Sequence, residues 1–91
     1  MLRLNDIESV EIYSKDSCPF CVKAKQFLSQ HDIPYDEYLV GSGVTRNDIQ
    51  SRVDAMEGVN VEIRTVPQIF AQVGSDWHYV GGYTELQALE K

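Results

Sequence analysis

The sequence predicts an α/β fold with its elements in the order β-α-β-α-β-β-α, and three observations lead there. Two strand-like stretches, 9 to 13 and 35 to 40, enclose a helix-periodic run that opens at Pro19. Two more, 66 to 72 and 77 to 80, are separated only by the turn-forming Val73-Gly74-Ser75-Asp76. The first pair, joined across a helix, is parallel with a right-handed crossover, and the second, joined by a hairpin, is antiparallel. The four-stranded sheet is therefore mixed, and three helices flank it.

Taken in order, Val10 and Ile12 alternate with polar neighbours, so they share the buried face of a first strand. From Pro19 to His31 no residue breaks a helix. Cys21, Ala24 and Leu28 recur at helical spacing with Phe27 beside them, while Lys23 and Gln26 turn away. Proline suits the first helical turn, where its missing N–H costs nothing. Ile33-Pro34 ends the helix, and Tyr35 to Val40 carries the aromatic and branched residues of a second strand. Gly41-Ser42-Gly43 turns the chain. Thr45 with Asp48 then reads as a capping box, Asp being a shorter substitute for Glu, and opens a helix that runs to about Glu57. Ile49, Val53 and Met56 form its apolar stripe, leaving Arg46, Asp48, Gln50, Arg52 and Asp54 to face solvent. Gly58 stops it, and Val59 to Arg64 is an irregular approach to the hairpin. After Gly81-Gly82, Thr84 can cap a short last helix that buries Leu86 and Leu89.

Ninety-one residues support one core and hence one domain, 1–91. The 43% apolar and 24% charged content is that of an ordinary globular protein. A formal charge of −6 repels phosphate backbones, so no nucleic-acid partner is expected. No apolar run approaches the ~18 residues of a membrane span, and Met1 to Glu8 lacks the apolar core of an export signal. With two cysteines, too few for a disulfide-stapled scaffold, the expectation is a cytoplasmic, monomeric protein without a membrane partner.

Both cysteines, Cys18 and Cys21, fall between the first strand and the first helix, with Lys15, Lys23 and Lys25 around them. A cysteine at a helix N-terminus has its thiolate stabilised by unpaired N–H groups and the helix dipole, and a nearby cation adds to this. Cys18 holds that position and Lys15 is the candidate cation. Lys23 and Lys25 read first as solvated helix charges. Cys21, one turn further in, lies on the same helical face and within reach of a disulfide. The exposed Cys18 then attacks an incoming disulfide and the shielded Cys21 resolves the mixed disulfide. Zinc requires about four ligands, and His31 and His78 form no ligand pair, so no metal site is expected.

Three separated motifs resemble those of the dithiol glutaredoxins, small enzymes of the thioredoxin-like fold: Cys18-Pro19-Phe20-Cys21, then Thr65-Val66-Pro67-Gln68-Ile69-Phe70, then Gly81-Gly82-Tyr83-Thr84-Glu85. The resemblance implies a cis Val66–Pro67 bond facing the cysteines, which leaves the Val66 backbone to pair with an extended peptide, glutathione. It further implies that Lys15 meets the glycine carboxylate of glutathione. Phe20 would wall the groove beside Thr65, Gly82, Tyr83 and Thr84 would receive the γ-glutamyl end, and Glu85 would pair with its amino group. Phe20 replaces a frequent Tyr and so lacks a hydroxyl, Glu85 is a methylene longer than the usual Asp, and Asp16 is a negative charge that opposes thiolate formation at Cys18.

The implied activity is a glutathione-disulfide oxidoreductase. Glutathione would be a co-substrate, with no tightly bound cofactor, and disulfide-bearing or glutathionylated proteins would be the partners. Two alternatives stay open at this point: an electron donor to ribonucleotide reductase recycled by thioredoxin reductase, and a non-enzymatic iron–sulfur module bridged by glutathione. Pro19 stands where the family's cluster binders usually have a small residue.

Overall fold

A computed structural model describes residues 2–90. The strands are β1 (Ser9–Ser14), β2 (Tyr35–Leu39), β3 (Gln68–Val73) and β4 (Asp76–Gly81), and the helices are α1 (Pro19–Gln30), α2 (Arg46–Asp54) and α3 (Tyr83–Ala88). A 3₁₀ turn over Leu4–Asp6 precedes them, with no counterpart among the expected elements. The sheet order is β2-β1-β3-β4, parallel between β1 and β2 and antiparallel elsewhere, which is the thioredoxin-like arrangement.

The sheet separates two apolar layers. Val10 and Ile12 of β1 and Ile69 and Ala71 of β3 pack with Ala24, Phe27 and Leu28 of α1 and Leu86 of α3. Phe70, on the other face, packs with Ile49 and Val53 of α2 and with Ile63. Strand β3 is buried on both faces over its first four residues, which is why it reads as a continuous apolar run.

The local signals explain most of the element boundaries. Asp32 adopts φ 56° after α1, where the Ile33 N–H bonds back to the Leu28 carbonyl at 2.9 Å. That bond closes a Schellman end, so the helix stops at Gln30, ahead of the expected His31. The capping box of α2 is present: Asp48 Oδ2 accepts from the Thr45 N–H at 2.8 Å and Thr45 Oγ1 from the Asp48 N–H at 3.3 Å. Helix α2 ends at Asp54, short of Glu57, because the Met56 N–H bonds to the Val53 carbonyl and tightens the last turn. Strand β3 begins at Gln68 rather than at residue 66, since Pro67 has no N–H for the ladder.

Two α2 residues expected in solvent are tied down instead. Gln50 donates to the Val61 carbonyl at 2.8 Å and accepts from the Ile63 N–H at 2.7 Å, which clamps the irregular approach to β3. Arg52 pairs with Glu11 of β1, donates to the Tyr13 hydroxyl at 3.1 Å, and lies over the rings of Phe70 and Trp77 at 4.2 and 5.0 Å. A helix wheel shows neither pairing, because both partners lie on other elements.

Candidate active site

Strand β1 delivers the chain to Ser17, whose φ of 60° turns it sharply into α1. Cys18 is the N-cap and Pro19 the first helical residue, so the Cys21 N–H donates to Cys18 Sγ at 3.2 Å. Sulfur here occupies the place of a capping oxygen. The same donor is aimed at whatever negative charge Cys18 acquires when the pair is reduced. Cys18 and Cys21 are joined as a disulfide with Cα atoms 5.2 Å apart. Cys18 is half-buried, whereas Cys21 is only 2% exposed, packed on the inner face of α1 with Ala24 and Leu28. This asymmetry decides which sulfur an incoming group reaches first.

The Val66–Pro67 bond is cis, and the Val66 carbonyl oxygen lies 3.8 Å from Cys18 Sγ. Val66 precedes β3, so its backbone stands outside the ladder beside the sulfurs. Gln68, buried at the head of β3, holds this loop: it donates to the Thr65 carbonyl at 2.8 Å and accepts from the Tyr79 hydroxyl at 2.5 Å. Burial, aided by the Glu85 carboxylate, pushes the Tyr79 phenol above its ordinary range, which keeps it a donor. Sequence reading passed over Gln68 and Tyr79, although Gln68 lies inside a motif; their partnership crosses the hairpin.

A groove of about 320 Å³ runs from Phe20 past Thr65, Val66 and Pro67 to Gly82, Tyr83, Thr84 and Glu85. Phe20 is 55% exposed, with its ring centroid 6.2 Å from that of Tyr83, and the Lys23 ammonium lies 5.5 Å above it. The N-cap of α3 is Gly82, not Thr84, because Glu85 Oε1 accepts from the Gly82 N–H at 2.7 Å. Gly82 has no side chain to return the bond, so this is half of a capping box. Gly81, at φ 115°, lies so near Glu85 that a Cβ would come within 2.9 Å of Oε1.

Lys15 is the one candidate glutathione residue outside this groove. It lines a second groove of about 370 Å³ on the other side of the disulfide, with Asp16, Ser17, Cys18, Cys21, Lys25, Glu37 and Leu39. Lys25 is not merely solvated: its Nζ pairs with Glu37 Oε2 at 2.8 Å. The buried Ser14 hydroxyl donates to the same oxygen at 2.5 Å. The Lys25 bond first, and the Ser14 bond second, hold the Glu37 carboxyl below its ordinary range. Among the described residues no three His, Cys, Asp or Glu side chains gather as a metal would require, and no helix is long and apolar enough to cross a membrane.

Comparison with known proteins finds relatives in one family. The glutaredoxin family model matches residues 10–74. Glutaredoxin 1 of Rickettsia prowazekii is 35% identical over 85 residues, covering 93% of this chain and 80% of the relative. Glutaredoxin 3 of Escherichia coli K12 is 34% identical over 83 residues, covering 90% and 86%. The crystal structure of glutaredoxin 1 from Francisella tularensis complexed with cacodylate superposes with a TM-score of 0.68 at 36% identity, covering 88% of each chain. The chain belongs to the glutaredoxin family of thiol-disulfide oxidoreductases.

Proposed function

We propose that this protein is a glutathione-dependent oxidoreductase that reduces protein disulfides and protein-glutathione mixed disulfides, with Cys18 attacking and Cys21 resolving. The observation that carries the reading is the half-buried Cys18 at the N-terminus of α1, its sulfur facing the backbone of Val66, which lines a groove that runs to α3.

In the monothiol half-reaction the Cys18 thiolate attacks the glutathione sulfur of a glutathionylated protein. A Cys18–glutathione disulfide forms, and the protein leaves as a thiolate that takes up a proton. A second glutathione thiolate then attacks the bound glutathione sulfur, releasing glutathione disulfide and the Cys18 thiolate. With a protein disulfide, Cys18 attacks first, Cys21 displaces the remaining protein thiol, and two glutathiones regenerate the dithiol.

In this reading glutathione lies extended along the groove and pairs with Val66, as a peptide adds to a sheet edge. Phe20 and Tyr83 wall it, Thr65 and Pro67 set its floor, and Gly82, Thr84 and Glu85 meet the γ-glutamyl end. Lys15 reaches the glycine carboxylate from across the disulfide. Glutathione is a co-substrate, no cofactor is held tightly, and the protein works as a monomer in a reducing, cytoplasmic setting.

The test is turnover of a glutathionylated thiol coupled to glutathione reductase. Sustained glutathione-dependent turnover is expected. Turnover sustained only by thioredoxin reductase would replace this reading with that of a donor to partners such as ribonucleotide reductase. A brown protein with visible absorbance and no turnover would replace it with the iron–sulfur module.

A further inference from the structure

Cys21 is nearly inaccessible, yet the groove that reaches it also reaches Lys25 and Glu37. Lys25 lies one helical turn beyond Cys21, so both side chains leave α1 on the same side. Glu37 leaves β2 in register with Ile12, whose side chain packs under α1, and the Ser14 hydroxyl anchors its carboxylate from the buried end of β1. The charged groups sharing this groove with Cys21 are Lys15 and Asp16 of the loop before α1, Lys25 of α1 and Glu37 of β2. Glu85 and Tyr83 of α3 line the other groove. Of the four, only Lys25 and Glu37 are bonded to one another and tied to the sheet, which gives them fixed positions in the groove that reaches Cys21.

We propose that the Lys25–Glu37 pair sets how readily Cys21 attacks, Lys25 favouring its thiolate and Glu37, by neutralising Lys25, holding that effect in check. The inference rests on the reading of Cys21 as the resolving thiol. In that step Cys21 gives its proton to solvent and its thiolate bonds to Cys18 Sγ. The bond from Cys18 to glutathione breaks, and glutathione leaves as a thiolate that takes up a proton. Cys21 is oxidised as the bound glutathione is reduced, and Cys18 stays at the disulfide level throughout. A thiolate forming at a buried sulfur loses most of its hydration, so nearby fixed charges weigh heavily on it. Lys25 and Glu37 touch no reacting bond of the substrate; they are positioning residues that act through Cys21.

The experiment mixes fully reduced protein with excess glutathione disulfide, quenches with acid and follows the Cys18–glutathione species by intact mass. Its decay to the internal disulfide is first-order and independent of glutathione disulfide concentration, so it isolates the resolving step. The rate is measured against pH for the wild type, Lys25→Met and Glu37→Gln. A one-unit displacement of the pH midpoint is about tenfold in thiolate population at a fixed pH below it. The expectation is that Lys25→Met slows the step about threefold to tenfold at neutral pH and raises the midpoint, while Glu37→Gln accelerates it and lowers the midpoint.

The attack of Cys18 on glutathione disulfide, measured in a Cys21→Ser background, should change less than about twofold with either substitution. Shifts of opposite sign cannot come from general disruption of the site, which would slow both variants alike. Any result other than opposite shifts overturns the proposal. If the wild-type mixed disulfide accumulates without collapsing, the resolving role of Cys21 falls and the proposal with it; a failure confined to the variants leaves that role standing.

Discussion

Replacing Arg52 with Met should destabilise the protein far more than a surface arginine would. The Arg52 side chain is only 25% exposed and that of Glu11 only 20%, so the ion pair between them is partly shielded from solvent. A hydrogen bond to a charged partner contributes about 1.5–3 kcal/mol, and the shielding here places this pair at about 1.5–2 kcal/mol. The guanidinium also lies over Phe70 and Trp77, which adds about 0.5–1 kcal/mol. Methionine keeps much of the stem's packing but none of this, and it leaves the Glu11 carboxylate with only the Tyr38 hydroxyl as a partner, so the expected loss is about 2–3 kcal/mol. For a domain of this size that corresponds to a fall of roughly 10–20 °C in Tm.

Urea unfolding of the wild type, Arg52→Met, Glu11→Gln and the double variant measures the loss and the coupling. The coupling energy should be about 1–2 kcal/mol, so that the double variant is markedly less damaged than the sum of the singles. Because Arg52 and Glu11 lie on the α2 side of the sheet and the cysteines on α1, turnover of the folded variant should stay within about twofold of wild type. A loss below about 0.5 kcal/mol, or strict additivity, would refute the claim that this cluster ties α2 to the sheet.

Three further outcomes follow from other parts of the structure. Cys21→Ser should retain deglutathionylation and lose most protein-disulfide reduction, whereas Cys18→Ser should abolish both; equal losses would remove the division of roles. Glu37 has a folded-state pKa below its unfolded value, so its pairing stabilises the protein above the unfolded pKa and that contribution fades as pH falls through the folded one. Partial exposure limits the effect to under about 1 kcal/mol, and the stability gap between wild type and Glu37→Gln should narrow as pH falls from neutral through the carboxylate range, read by denaturant titration at each pH. Thr45→Ala should cost about 1 kcal/mol by removing the cap of α2, with thermal unfolding as the measure and a loss under about 0.3 kcal/mol as the contrary result.

The elements of this fold were legible where local chemistry decides them. Pro19, the Cys21-Ala24-Leu28 spacing and the Thr45–Asp48 pair each act within a turn or two of chain, and the structure keeps them as read. The cis Val66–Pro67 bond was legible only through family resemblance, since the same proline could have opened an edge strand. What escaped was pairing between distant segments. Arg52 with Glu11, Lys25 with Glu37 and Gln68 with Tyr79 each join different elements, and a helix wheel places the first two cations in water. Ser14 lies one residue past the expected first strand, yet the strand includes it and its buried hydroxyl becomes the anchor for Glu37. The cap of α3 was misplaced by the same limitation at short range: the sequence offers Thr84 as a capping side chain, but Glu85 reaches back to Gly82 and starts the helix earlier.

Because Glu85 already accepts the Gly82 N–H, an anionic ligand that reaches this donor does so by exchange and not by addition. Its apparent affinity is its intrinsic affinity scaled by the fraction of molecules in which the carboxylate has swung away. The first turn of α3 and the far end of the groove thus form one equilibrium. Conditions that tighten the Glu85–Gly82 bond would weaken the hold on a carboxylate bound at that donor, and a carboxylate that takes the donor would release the cap of the helix.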